Sequence, residues 1–181
     1  MGLRLALLDR VLPGAIRRRM LRRLFRLTAA AFGARVPPLP AGGHEEATRA
    51  FACFTRDLVE RASDGAPSGA AVHDRLYRGA RELGRRFRRG AGVRSAEDAA
   101  RALRLLYRAI GIDIDVDLAR GEMTVQRCAF SSVYTPETCR VISALDGGIV
   151  DGITGGTTVV FTERLTEGAP CCRAALVRGV T

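Results

Sequence analysis

Lysine is absent from this 181-residue chain, and other shortages narrow what it can do. All 29 Lys/Arg positions are arginine, a bias that reflects genomic composition more than selection for phosphate geometry. Aromatics make up only 6% of the residues and are not interleaved with the basic runs, so the stacking platform of a single-strand binder is missing. The net charge of +10 comes from arginines crowded into residues 4–35 and 75–108, while the half from 111 onward is close to neutral. Nucleic acid is therefore not the expected partner. No apolar run approaches the ~20 residues of a membrane-spanning helix, and the body is expected to be soluble. There is no C-x-x-C pair. Arg22-Arg23-Leu24-Phe25 follows a twin-arginine export signal only loosely, because Arg35 interrupts the short apolar stretch behind it. Reduced, cytoplasmic cysteines are the expectation.

What is present suffices for one core, since 47% of the residues are apolar and the length fits a single domain. Residues 3–32 read as a basic amphipathic helix, or a helix pair broken near Pro13-Gly14. Leu21, Leu24, Phe25, Thr28 and Phe32 form its stripe and arginines cover the rest. The prolines and glycines of 36–43 make a linker. Residues 1–40 are thus expected to be an arm and linker, and residues 41–181 a single domain. The arm's stripe predicts that it packs on its own domain or on a sister subunit in a homodimer, uncleaved; peripheral contact with anionic lipid is the alternative.

Helical spacing recurs over 44–62 (Ala47, Phe51, Phe54, Leu58) and 70–88 (Leu76, Ala80, Leu83, Phe87). Ser95-Ala96-Glu97-Asp98 is a capping-box start for a further helix that stops at Gly111. From Ile112 the period becomes two. Ile112, Ile114, Val116 and Leu118 alternate with three aspartates, and residues 123–128 return as the partner strand. Thr135-Pro136 starts a helix expected to run to about Thr154. A second hairpin follows over 157–165 and 171–177. The fold class is therefore α+β, N-terminal helices packed on a four-stranded antiparallel sheet with a β-β-α-β-β second half.

Four of the five cysteines fall between Cys128 and Cys172. Cys139 and Asp146 are seven residues apart, two helical turns, and so share a face. Cys139 lies near the positive end of its helix with Arg140 beside it, which favours thiolate. Cys128 can reach the same pocket, and Cys172 lies across the hairpin from Glu163. Asp146 has no cationic partner evident in the sequence, which predicts a raised pKa. Ser143 shares the helix face, and the four-residue spacing of Gly148 and Gly152 leaves a groove where the sheet or a ligand can approach.

These elements resemble the 4-vinyl reductase domain superfamily, which shares its fold with small subunits of the TRAPP tethering complex, over roughly residues 70–178. Cys128-Ala129-Phe130-Ser131, Cys139 with Asp146, and Gly168-Ala169-Pro170-Cys171-Cys172 resemble most the branch named for L-2-amino-thiazoline-4-carboxylic acid hydrolase. One difference is Arg164 after Glu163, where 4-vinyl reductase domains often carry a cysteine.

Three readings follow. In one, a small-molecule hydrolase cleaves a C–N bond of a cyclic amidine or similar substrate, with Cys139, Asp146, Cys128 and Glu163 catalytic, and Ser143, Gly148, Gly152 and Cys172 binding the ligand. In another, Cys128, Cys139 and Cys172 hold zinc or iron with a carboxylate. In the third, the pocket only binds a small ligand, as a sensor or carrier.

Overall fold

A computed structural model describes residues 13–63 and 69–178. The first part of the expected arm, 3–12, and the break at 64–68 lie outside the described residues. The elements run α1 (Gly14–Phe32), α2 (His44–Ser63), α3 (Gly69–Ala91), α4 (Ala96–Arg108), β1 (Ile112–Asp117), β2 (Glu122–Cys128), α5 (Pro136–Ile142), α6 (Ala144–Thr154), β3 (Thr157–Glu163), a 3-10 turn at Leu165–Glu167, and β4 (Cys172–Arg178). The four strands form one antiparallel sheet in the order β1-β2-β4-β3, with α1 to α4 ahead of it in sequence and α5 and α6 between β2 and β3, so the class is α+β.

The apolar stripe of α1 explains its place. Leu21, Leu24 and Phe25 are buried against α2 and α3, with Phe25 edge-on to Phe51 at 5.1 Å, while Arg19, Arg22, Arg23 and Arg26 stay outside. The described part of the arm is thus part of the core. Arg18 ties the linker down by donating to the carbonyls of Pro40 and Gly42, both at 2.8 Å. No helix of the described residues is long and apolar enough to cross a membrane.

The expected starts at Ser95 and Thr135 are built by side-chain caps. Ser95 Oγ accepts from the Asp98 N–H at 3.1 Å, and the Asp98 carboxylate accepts from the Arg94 N–H at 3.2 Å. Thr135 Oγ1 accepts from the Thr138 N–H at 3.1 Å, ahead of Pro136. Removing such an acceptor leaves a helix amide unpaired, so Ser95→Ala is expected to lower stability by about 1 kcal/mol. A shift of the urea midpoint at unchanged m-value measures it.

One expected element is corrected. The helix over 136–154 is two helices, interrupted at Ser143. The Ser143 hydroxyl donates back to the Arg140 carbonyl at 2.8 Å, competing with the backbone ladder.

Both irregularities of the sheet fall at one end. Between β1 and β2 the register shifts at Asp113/Ile114, beside Cys128, and between β3 and β4 it shifts at Phe161/Glu163, beside Arg164 and Cys172. Bulges of this kind bend strands and re-aim side chains, and they concentrate near functional sites.

Candidate functional site

At that bulged end, four segments bring their side chains under the α5–α6 junction. Cys128 ends β2, Cys139 lies on α5, Asp146 opens α6, and Arg164 and Cys172 bracket the turn between β3 and β4. Arg164 is the hub. Its Nη1 donates to Cys139 Sγ at 3.6 Å and its Nη2 to Ser143 Oγ at 3.3 Å, and its guanidinium lies 4.5 Å from the Phe161 ring centroid. A cation stacked on a ring and hydrogen-bonded twice is held in place.

Asp146 is set deeper. Its Oδ1 accepts from the hydroxyl of Tyr107, itself buried, at 2.7 Å. Burial raises its pKa to about 6, against the opposing pull of the Tyr107 hydrogen bond and the Arg164 charge. The direction is the one expected from the sequence, and the cation facing the carboxyl, Arg164, comes from the turn that follows β3.

The remaining groups of the cluster are held protonated. Burial pushes the Cys128 thiol up to about 12, with the Asp146 and Cys139 charges adding to it. Cys172 is also raised by burial, and its Sγ accepts the Leu165 N–H at 3.3 Å. Tyr107 and Tyr134 are raised by burial too; Tyr134 shares a 2.6 Å hydrogen bond with Thr55 and stacks on Phe130 at 5.5 Å. Cys139 is thus the one member of the cluster's three thiols that meets a guanidinium in a hydrogen bond.

Several residues singled out in the sequence lie elsewhere. Glu163 is exposed on the outer face of the sheet, paired with Arg173 at 3.3 Å, because its register partner Arg173 faces away from buried Cys172 and Ala174. Gly148 and Gly152 line the seam with α3 and offer no groove to a ligand. A Cβ on Gly148 would overlap the Tyr77 carbonyl oxygen, and one on Gly152 the Arg81 carbonyl oxygen. Asp151 belongs to that seam as well, buried and held by Arg81 at 2.6 Å and the Tyr77 hydroxyl at 2.7 Å. Arg140, expected to be the cation beside Cys139, instead reaches out to Glu167 at 2.7 Å. Ser143 does sit at the site, through Arg164.

Sequence reasoning missed Tyr107, Tyr134 and Arg164 as site residues. For Arg164 a signal existed, since it stands where a cysteine is common in the resembling domains. Among the described residues, no three histidine, cysteine or acidic side chains are grouped so as to hold a metal ion. The three thiols and Asp146 are therefore not arranged as a metal-binding group, and the zinc or iron reading draws no support from them. No protein-family model matches the chain, and no curated protein matches it.

Proposed function

We propose that the chain is a small-molecule hydrolase in which Cys139 is the nucleophile, Arg164 orients it, and Asp146 carries the proton. The observation that supports this most is the placement of one guanidinium on Cys139 Sγ and Ser143 Oγ, facing a carboxyl whose pKa lies near 6. A group that titrates close to neutrality can both give and take a proton. The fixed guanidinium also holds the Cys139 sulfur in one position beside that carboxyl.

A cyclic amidine suits these parts, as the resemblance implied. The Cys139 thiolate adds to the amidine carbon, forming a C–S bond. The ring C–N bond then breaks, and the departing nitrogen takes the proton of the Asp146 carboxylic acid. Water attacks the remaining thioimidate, gives its proton back to the Asp146 carboxylate and releases the thiolate. Cys128, held protonated, has no part in the bond changes and packs beneath them.

Two measurements test this reading. Iodoacetamide labelling followed peptide by peptide should modify Cys139 at least about tenfold faster than Cys128, and Arg164→Gln should slow it. Hydrolysis of 2-amino-thiazoline-4-carboxylate, followed by chromatography, should be lost in Cys139→Ser and depressed in Asp146→Asn. Full turnover in both variants would place the chemistry elsewhere, and binding without turnover in the unaltered chain would leave a ligand-binding domain.

A further inference from the structure

The opposite end of the sheet opens a cleft of about 510 Å³ with a different character. Four arginines line it from four separate segments: Arg88 near the end of α3, Arg94 before α4, Arg120 in the β1–β2 turn and Arg178 at the end of β4. No Asp or Glu is among the described residues that line it. The nearby carboxylates are otherwise engaged. Glu97 pairs with Arg101 at 3.0 Å, Asp98 accepts the Arg94 backbone N–H, and Asp117 caps the Ala119 and Arg120 amides with the Arg120 guanidinium only 3.7 Å away. Arg88 is fixed by donating to the Ile153 carbonyl at 3.1 Å. Arg94 and Arg178 are exposed and have no acidic partner among the described residues.

Like charges gathered in a concave wall repel one another and favour the entry of an anion. The number of arginines decides which anion, because one carboxylate can engage one guanidinium fork whereas linked phosphates can engage several. The wall also carries apolar surface from Val93, Leu118 and Leu176. A bare inorganic ion would leave that surface uncovered. The volume falls within the range of sites for small organic ligands, roughly 300–1,000 Å³.

We propose that this cleft binds an organic phosphate of nucleotide size, its phosphates among Arg94, Arg120 and Arg178 and its apolar body over Val93, Leu118 and Leu176. The site is separate from the cysteine cluster and does not depend on the hydrolase reading.

Isothermal titration of the full chain with ATP and, separately, with inorganic tripolyphosphate tests it. ATP should bind saturably at one site, more tightly than tripolyphosphate and more weakly as salt is raised. Arg94→Glu and Arg120→Glu, both at exposed positions, should each weaken ATP binding by about tenfold or more, with circular dichroism unchanged. Three outcomes overturn the proposal: no saturable ATP binding, ATP affinity untouched by both charge reversals, or tripolyphosphate bound as tightly as ATP.

Discussion

Gly152→Ala is expected to destabilise the protein by about 3 kcal/mol or more, the upper end of what overpacking costs. A Cβ at this position would overlap the Arg81 carbonyl oxygen and come within 2.8 Å of the Arg85 backbone nitrogen and 2.9 Å of the Gly84 Cα. All three atoms belong to the backbone of α3, so no rotamer change relieves the clash. The two helices would have to separate, and the α3–α6 seam holds Ala80, Leu83, Ile149 and Val150 in the core as well as the buried Asp151 pair. Gly90→Ala supplies the control. It lies on the same helix α3 with open space around its Cβ, and there the better helix propensity of alanine is expected to add up to about 1 kcal/mol. Urea unfolding of the three proteins measures both. A Gly152→Ala protein as stable as its parent, but impaired in ligand binding, would restore the groove that glycine spacing first suggested.

That glycine pair shows where sequence reading reaches its limit. A four-residue glycine spacing says that something approaches the helix closely, and the sequence cannot say what. The answer lies in Gly84 and the Tyr77 and Arg81 carbonyls, more than sixty residues earlier in the chain. Local patterns were legible for the opposite reason. The alternation from Ile112, the capping residues Ser95 and Thr135, and the stripe of α1 each state their outcome within a few residues, and the structure builds a strand, two helix starts and a packed helix there. The Ser143 interruption was not legible, because serine is tolerated inside helices and its back-bond to Arg140 became visible only in the structure.

The candidate site divides in the same way. Cys128, Cys139, Asp146 and Cys172 came from one stretch of sequence and do gather at one end of the sheet. Their partners lie outside the helix and strand pattern of that stretch. Tyr107 reaches Asp146 from 39 residues away and Arg164 reaches Cys139 across 25, through a turn whose direction is set by the bulge at Phe161/Glu163. Glu163 and Arg164 are adjacent, yet one faces solvent and the other the cluster. Strand alternation permits either assignment until the register is known.

Asp146 should make stability fall as the pH rises through 6. Its pKa in the folded protein is about 6, above the ordinary 3.8, because burial disfavours the charged carboxylate more than Tyr107 and Arg164 favour it. The folded state therefore binds this proton more tightly than the unfolded chain does. The resulting stabilisation is complete below pH 4, where both states are protonated, and is lost as the pH passes 6. At 1.36 kcal/mol per pKa unit the whole effect is about 3 kcal/mol. Asp146→Asn removes the titration while its amide oxygen can still accept from Tyr107, so the variant should gain stability relative to the parent from pH 4 to pH 8, by up to that amount. Comparing the two proteins at each pH cancels the other carboxylates. Asp98 and Asp117, held below the ordinary range by the backbone N–H groups they accept, lose their stabilisation in acid and act in the opposite direction. Parallel urea-midpoint curves for parent and variant would mean that Asp146 is ionised throughout. It would then have no proton to give a departing nitrogen at neutral pH, and the proposed acid step would fail with it.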